Sequence, residues 1–303
     1  MKGIFKTRVW IVLSVLVAAS SGIHTQTARD AFHINYTYFP SVGLTQNKGK
    51  VEAQQFDIFG AMEPIRLSNR INFTNVFYYR NTQLNYDETF LKQNTFPRKI
   101  HDIRYMPAFR IQMNPRWNFI MLPKILLRSD LDHPFSVTDF IAQSGFVLSY
   151  NYTGEYNLKV GFGGGIGLFE FKHFRFWPLI QFNYNKRKVK CEIALPYANI
   201  TYNITKDLEA GIFAMVDNSI STVAPFTFEN ETVTHLRIFQ GIVAPTVSYL
   251  LYRNFYGHIK FGGLAPIRQL LPLDQDFRTI DVLKFGPTSS LFFKIGVSYR
   301  RPE

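Results

Sequence analysis

The sequence predicts an all-β fold, a transmembrane antiparallel up-and-down β-barrel of 12–14 strands, with fourteen as the preferred count. Three features point to it: an amino-terminal export signal, a final segment that alternates apolar and polar residues, and the recurrence of such segments along the chain. Aromatic residues make up 16% of the chain and charged residues 18%, yet the mean hydropathy is only −0.07. Apolar residues are therefore abundant but interleaved with polar ones, as they are in membrane-spanning strands.

Residues 1–26 have the composition of a secretory signal peptide. Three basic residues and no acidic one precede a mostly apolar run at 9–19, and small residues follow it. A run of this length is too short for a membrane-spanning helix. We expect cleavage between Ala19 and Thr27, which leaves 27–303 as a single barrel domain and lowers the net charge from +12 to +9.

The last segment, residues 291–300, alternates almost without interruption. Its apolar positions are Leu291, Phe293, Ile295, Val297 and Tyr299. Because successive side chains of a strand point to opposite faces, this segment has one apolar and one polar face. A tilted strand crosses a bilayer with about 9–11 residues, which is the length seen here. Since every backbone N–H and C=O must be paired inside lipid, such a strand requires a closed barrel.

Thirteen further segments show comparable alternation. They are residues 32–38, 51–60, 69–79, 103–113, 117–125, 140–152, 158–168, 174–184, 189–195, 198–204, 208–216, 235–252 and 255–263. The segments on either side of Pro196 are counted separately, which brings the total to fourteen. Pro245 predicts a bulge in its strand, because proline cannot donate a hydrogen bond to a neighbour. An even number of strands places both termini on the periplasmic side.

The predicted connections alternate in length. Short turns are expected at 114–115, 153–155, 185–187, 205–207 and 253–254, and longer loops at 81–100, 129–138, 218–231 and 268–288. Short periplasmic turns and longer external loops are typical of membrane barrels.

Four glycines, at positions 161, 163, 165 and 167, lie on one face of the segment 158–168. No helical pattern and no Lys-Ser/Thr pair follows them, so a nucleotide-binding loop is not supported. Glycines on one strand face indicate a bend or the close approach of another group. In a barrel this predicts strong curvature or room for a group inside.

The basic balance of the chain does not indicate a nucleic-acid partner. Lys and Arg are scattered singly, and the longest run is Lys186-Arg187-Lys188. Cys191 is the only cysteine, which excludes an intramolecular disulfide, and its place on an apolar face indicates a small apolar filler. The histidines lack the spacing of metal ligands. No metal and no cofactor is expected.

Taken together, the signal peptide, the recurrent strands and the closing strand resemble the outer-membrane β-barrels of Gram-negative bacteria. The central Ala194-Leu195-Pro196 strand is similar to that of an uncharacterised family of such barrels. The resemblance implies an outer-membrane location, contact with outer-membrane lipids and lipopolysaccharide, and recognition of the closing strand by the barrel-assembly machinery. Many of these barrels end on an aromatic residue, whereas this chain continues past Tyr299 to Glu303.

If the apolar faces meet lipid, the opposite faces line the lumen. Nine basic residues are the candidate lumen lining: Arg104, Arg110, Lys124, Lys159, Arg175, Lys190, Arg237, Lys260 and Lys294. The clearest acids on the same faces are Asp57, Glu192 and Glu209. Because charged rings inside a pore set its selectivity, this lining favours a passive pore for small polar or anionic solutes. The alternative is that these bases pair with loop carboxylates or lie near lipid headgroups.

Other classes of function are open at this point. A non-conducting barrel would serve in adhesion, structure or lipid interaction through its long loops. A hydrolase would need a nucleophile, a base and an orienting group in contact. The strand residues considered for those roles are Ser144, Ser149, His173, His235 and His258. Their spacing singles out no triad, so no catalytic residue and no enzyme is predicted. A soluble secreted sandwich or lipid-binding barrel would instead hide the aromatic rows in its core.

Overall fold

The computed structural model describes residues 30–43, 49–87, 96–134, 137–153, 157–169, 173–228, 231–262, 267–273, 283–284 and 291–301. Nineteen strand segments lie in these ranges, namely β1 (Asp30–Gly43), β2 (Lys50–Ala61), β3 (Ile65–Arg66), β4 (Ile71–Thr74), β5 (Val76–Tyr86), β6 (Lys99–Tyr105), β7 (Ala108–Gln112), β8 (Trp117–Ser129), β9 (Phe140–Thr153), β10 (Asn157–Phe169), β11 (His173–Lys186), β12 (Val189–Ala194), β13 (Tyr197–Asn203), β14 (Leu208–Phe228), β15 (Glu231–Tyr252), β16 (Phe255–Gly262), β17 (Ile267–Leu273), β18 (Leu283–Lys284) and β19 (Phe292–Arg300). The predicted signal peptide, residues 1–26, lies outside the described residues. Among those residues, no helix has the length and apolar character needed to cross a membrane.

These segments build fourteen antiparallel strands that close into a ring. Five of the strands consist of two consecutive segments: β2 with β3, β4 with β5, β6 with β7, β16 with β17, and β18 with β19. β1 closes the ring against β19, with Asp30 opposite Arg300 and Tyr38 opposite Phe293. The predicted fold class and the preferred strand count are confirmed.

The outward face of the barrel is apolar. Phe162 and Phe176 are each 61% exposed and Ile125 is 56% exposed. The side chains at the alternate strand positions point inward, and many of them are polar and buried, such as Asn35 and Asp57. This inside-out distribution belongs to a surface that meets lipid, and it excludes the soluble sandwich.

β12 and β13 are much shorter than their neighbours, with six and seven residues. Leu195 and Pro196 form the turn between them. The Leu195 N–H donates to the carbonyl oxygen of Ile180 (3.2 Å), and the Val216 N–H donates to the carbonyl oxygen of Pro196 (3.0 Å). The break predicted at Pro196 is therefore confirmed. At β12 and β13 the barrel wall extends over fewer residues along the strands than at the neighbouring strands.

β14 and β15 are the longest segments, with 21 and 22 residues. Their ends near Leu208 and Tyr252 lie in the wall, where Ile212 is 59% exposed. From Asp217 onward both faces of the pair are largely covered; Ile220 is 5% and Leu236 0% exposed. Residues 217–242 therefore bend inward over the lumen, while residues 235–241 stay paired with β17. We call this part the inward-folded hairpin.

The inward-folded hairpin closes one end of the lumen with apolar contacts. Its buried residues pack in one cluster with inward-facing residues of β1, β2, β5 and β6, and the cluster includes Phe39, Val51, Leu84, Ile100, Val223, Val233, Leu236 and Ile238. On its other side, Ile220 packs with Leu126 and Ile141. A single bridge between Thr222 and Ser129 joins it to β8. The lumen is thus closed at the end opposite the termini.

Several predicted connections were wrong. Residues 218–231 are mostly strand, because the inward-folded hairpin meets protein on both faces and its polar residues look like a loop. Strands also extend into the predicted loops 81–100 and 268–288. On the β14 side, Pro245 pairs in register with Ile212. On the other side, Thr246 lies opposite Lys260 and Gly241 opposite Ile267, so the register shifts by two residues across the stretch that contains Pro245.

The glycine face of β10 accommodates an indole ring. The side chain of Trp177, on the neighbouring β11, lies over Gly165 and Gly167 and is 1% exposed. A Cβ on Gly165 would come within 2.2 Å of that ring. The predicted room for a group inside the barrel is therefore filled by the protein's own tryptophan.

Candidate functional site in the barrel lumen

Two cavities lie in the lumen between the inward-folded hairpin and the end that carries both termini. The first, about 110 Å³ in volume, is lined mainly by polar and charged residues of β1, β2, β12–β16 and β19. The second, about 370 Å³, is lined mostly by apolar residues of β2, β4–β13 and their turns. We call them the polar cavity and the apolar cavity. Both cavities are lined in this way because every second side chain of a barrel strand points into the lumen.

Asp57 is the centre of a hydrogen-bonded network in the polar cavity. Its carboxylate accepts a hydrogen bond from Asn35 Nδ2 (2.7 Å), and Lys294 Nζ lies 3.3 Å away. The ring of His33 lies 3.4 Å from the same carboxylate. On the far side, His258 Nε2 lies 2.6 Å from Asn35 Oδ1. Four strands therefore meet around one buried carboxylate.

Glu209 organises a second group of charges in the polar cavity. Arg300 donates to it at 2.7 Å and Lys190 lies at 3.5 Å. Lys260 has no carboxylate at this distance in the described residues, and its Nζ lies 3.7 Å from the centre of the Phe213 ring. A cation over an aromatic face is stabilised by the ring quadrupole, so the Phe213 ring offsets part of the cost of burying the Lys260 amine.

Buried ion pairs connect the wall with the base of the inward-folded hairpin. Asp102 accepts hydrogen bonds from Arg104 Nε (2.7 Å) and Arg128 Nε (2.9 Å). Arg80, on β5, donates to Asp217 at 2.6 Å. Since Asp217 is the first residue of the hairpin, this last pair ties the hairpin to the facing wall. Removing one partner of such a buried pair costs about 3–5 kcal/mol, because the other charge is left buried and unpaired.

A loop contact holds the hairpin at the closed end. Asp130, between β8 and β9, accepts a hydrogen bond from the Ala224 N–H (2.7 Å) and lies 3.0 Å from His133 Nδ1. The other ring nitrogen of His133 lies 3.0 Å from Asp139. Burial disfavours the charged imidazole, but the hydrogen bonds and charges of Asp139 and Asp130 outweigh it and raise the pKa of His133 above its ordinary value. Protonation of His133 therefore strengthens this contact.

The predicted basic residues occupy several environments. Lys190, Lys260 and Lys294 line the polar cavity, and Arg110, Lys124 and Lys159 line the apolar cavity. Arg104 is buried against Asp102, and Arg237 lies on the inward-folded hairpin, where it donates to Asn218. The backbone of Arg175 belongs to β11, and its side chain lies outside the described part of the chain.

Sequence reasoning missed Arg80, Arg128 and Arg300 together with the acids Asp102 and Asp217. Arg80 and Arg128 lie one and three residues past the predicted ends of their strands, at 79 and 125. Continuing the period-two alternation beyond those ends would have placed both on the lumen face. Asp217 lies one residue past the predicted end of its strand at 216 and falls on the lumen face by the same continuation, but its pairing with Arg80 depends on how the chain folds back.

The residues considered for catalysis do not form a triad. Ser149 donates to the carbonyl oxygen of Asn118 (3.3 Å), His235 Nδ1 lies 2.9 Å from Thr234 Oγ1, and His258 Nε2 lies 2.6 Å from Asn35 Oδ1. The side chain of His173 lies outside the described part of the chain. Within the described ranges no group of three or more His, Cys, Asp or Glu is arranged to hold a metal ion.

A family model described as "Domain of unknown function (DUF6268)" matches residues 21–255. The chain belongs to this family. No curated protein matches it.

Solved structures similar to this chain are outer-membrane proteins. The COG4313 outer membrane channel from Pseudomonas putida F1 is 7% identical with a TM-score of 0.45, covering 91% of this chain and 97% of that chain. The NanC porin is 11% identical with a TM-score of 0.37, covering 89% of this chain and 100% of that one. The P. putida toluene transporter TodX is 9% identical with a TM-score of 0.37, covering 96% and 94%. At these identities the similarity concerns the β-barrel fold alone.

Proposed function

We propose that the protein is a channel of the bacterial outer membrane that passes small anionic or polar solutes and rests in a closed state. The observation that carries this proposal is the charge of the lumen. Among the described residues, nine basic and four acidic side chains line the two cavities. A positively charged lining favours anions over cations.

Ion pairs neutralise only part of this charge. Lys294 pairs with Asp57 and Arg300 with Glu209. Lys124 is 3% exposed and has no hydrogen bond or ion pair with the described residues. The alternative that these bases pair with carboxylates therefore applies to some of them, and the partners of Lys294 and Arg300 among the described residues, Asp57 and Glu209, belong to strands.

Passage along the barrel axis requires the inward-folded hairpin to move. Its apolar face fills the lumen, the Arg80–Asp217 pair ties its base to β5, and the Asp130–Ala224 hydrogen bond ties it to a loop. Opening breaks these few polar contacts and a larger apolar one. We infer that the open state is a minor one that a solute, a partner or the membrane potential would favour.

The proposed location follows from the export signal and from the closing strand. We propose that residues 1–26 direct secretion and that the barrel-assembly machinery recognises β19. Outer-membrane lipids and lipopolysaccharide would contact the apolar outer face. No nucleic-acid partner is proposed.

Ion conductance in planar bilayers tests the channel. We expect the wild-type protein to be closed most of the time, and Asp217→Asn to open more often, because it removes the charge that pairs with Arg80. In a potassium chloride gradient the reversal potential should indicate chloride preference. Lys260→Gln should reduce that preference, since it removes a base that lines the polar cavity.

Asp207→Asn is the matched control, because Asp207 lies in the turn before β14 and away from the Arg80 pair. This variant should conduct like the wild type. A barrel that never conducts, even as the Asp217→Asn variant, would be a non-conducting structural or binding protein. Cation preference would reject the proposed solute class.

A further inference from the structure

The wall of the barrel has a gap above the turn between β12 and β13. A tilted strand needs about 9–11 residues to cross a bilayer, whereas β12 has six and β13 seven. β11 pairs with β12 only from Gln181 to Lys186. The turn at Leu195 therefore ends level with Ile180, midway along β11.

Nothing in the described part of the chain fills the gap from the β14 side. β14 pairs with β13 only as far as Met215, and from Asp217 it leaves the wall to reach β8. The half of β11 between His173 and Leu179 is therefore paired with β10 alone among the described residues. Unpaired backbone groups are tolerated at membrane depth only where they border protein or a cavity.

The apolar cavity lies behind this gap. Leu195 and Ile180 are part of its lining, although the side chain of Ile180 is 49% exposed on the outer face. At the opposite end the lining reaches Pro64 and Arg301, near the termini. The cavity thus runs from the lipid-facing notch to the open end of the barrel. Its volume of about 370 Å³ is in the range of about 300–1,000 Å³ that small-molecule sites occupy.

The cavity is amphipathic. Val147, Leu179 and Leu122 form an apolar wall together with Trp177. Lys124 reaches the same cavity; it is nine-tenths buried and has no carboxylate partner in the described residues. A buried amine carries its charge only where a counter-charge accompanies it, so a ligand that supplies one negative charge would pair with Lys124 as an ammonium group.

Two further bases lie along the cavity beyond Lys124. Lys159 and Arg110 both line it, and neither has an ion pair within the described residues. They lie near enough to one another for their charges to interact. Arg110 is exposed, on the short segment β7 close to the turn at the terminus-bearing end. A negatively charged group of a ligand would therefore meet basic side chains between Lys124 and the terminus-bearing end of the cavity.

We propose that the apolar cavity binds a single-chain amphipathic carboxylate, which exchanges with the bilayer through the gap above the β12–β13 turn. The carboxylate lies at Lys124 and the chain lies against Val147 and Leu179. The site goes beyond the axial channel proposed above. It requires no movement of the inward-folded hairpin and lies on a different route, so either proposal can fail without the other.

Quenching of Trp177 fluorescence by dodecanoate brominated near its methyl end tests the site. Trp117→Phe leaves Trp177 as the one tryptophan after residue 26, and the protein is held in lipid nanodiscs. We expect saturable quenching. The Lys124→Gln variant should bind dodecanoate about tenfold more weakly, because it loses a charge-assisted hydrogen bond. Lys206→Gln, in an exposed turn, is the matched control and should bind like the parent.

Two comparisons make the result decisive. Dodecanol brominated at the same carbon lacks the charge and should bind about as weakly as dodecanoate binds to Lys124→Gln. Equal quenching by the acid and the alcohol, or by lipids brominated in the nanodisc, would overturn the head-group site. If Lys124→Gln does not fold, shown by loss of the gel-mobility change on boiling, Lys159→Gln replaces it and is expected to weaken binding in the same direction.

The lateral route has its own readout. When dodecanoate arrives from vesicle bilayers, Leu195→Tyr should slow the onset of quenching and leave its final extent unchanged, because the larger side chain narrows the gap. Ile200→Tyr, on the outer face of β13, is the control and should keep the parent rate. Equal rates in both variants would overturn entry through the gap.

Discussion

At the scale of single residues, the lumen is defined by close pairings that depend on small or charged side chains. Gly165 has no side chain because the ring of Trp177 occupies that space. Asp57 pairs with Lys294 of β19, and Asp102 pairs with Arg104 of its own strand and with Arg128 of β8. Each position has a partner on another strand, so its role becomes visible only when the strands are assembled.

Gly165→Ala should destabilise the barrel by about 1–3 kcal/mol, the usual cost of overpacking a filled site. Its new Cβ would come within 2.2 Å of the Trp177 ring. We expect a lower urea midpoint in lipid vesicles and a shifted Trp177 emission. Gly60→Ala is the control, since nothing lies within 4 Å of its added Cβ. Equal midpoints for the two variants would contradict the packing described here.

At the scale of elements, length decides what each strand does. β12 and β13 are too short to cross the bilayer, and β14 and β15 are longer than crossing requires. The short pair leaves a gap in the wall, and the excess of the long pair folds inside as the inward-folded hairpin. The loop between β8 and β9 then holds that hairpin through Asp130.

This loop contact should depend on pH. The pKa of His133 is raised in the folded protein, so its stabilising effect is complete below the unfolded value of about 6.5 and is lost as the pH rises through the raised value. His133→Asn should therefore reduce protection of the Ala224 amide against hydrogen exchange at about pH 5.5 but not at about pH 9. Comparing the variant with the parent at each pH removes the intrinsic pH dependence of exchange. A difference that is the same at both pH values would contradict the role of protonation.

At the scale of the whole molecule, closure of the ring by β1 and β19 is what satisfies the backbone in lipid. Ile34 lies opposite Val297 across this seam, and both side chains are exposed on the outer face. A slip of one residue would turn the apolar rows of β19 into the lumen. The register of this one seam therefore sets the two faces of the barrel.

Cysteines placed across the seam test the register. In a Cys191→Ala background, Ile34→Cys with Val297→Cys should form a disulfide that changes the gel mobility of the unfolded chain. Ile34→Cys with Ile295→Cys is the control, because a diagonal pair lies about 7–8 Å apart, too far for a strain-free bridge. Comparable cross-linking in both pairs would show a different closure.

The sequence by itself determined the class of fold, the fourteen strands and the two faces of most of them. A strand that faces lipid on one side has an apolar side chain at every second position, and this alternation is visible in the sequence. Because the backbone N–H and C=O groups of such strands must all be paired inside the bilayer, the strands have to close into a barrel. Two further inferences from the sequence stay predictions: the export signal at residues 1–26, and the role of the lumen bases in ion selectivity.

Only the tertiary structure decided which strand halves leave the wall, which base meets which acid, and that the lumen holds two cavities. Period-two alternation marks the face that meets lipid, but a strand covered by protein on both faces, such as residues 217–228, carries no such mark and looks like a loop. Arg80 and Asp217 are 137 residues apart in the chain. Their pairing depends on how the hairpin folds back, which no local pattern encodes.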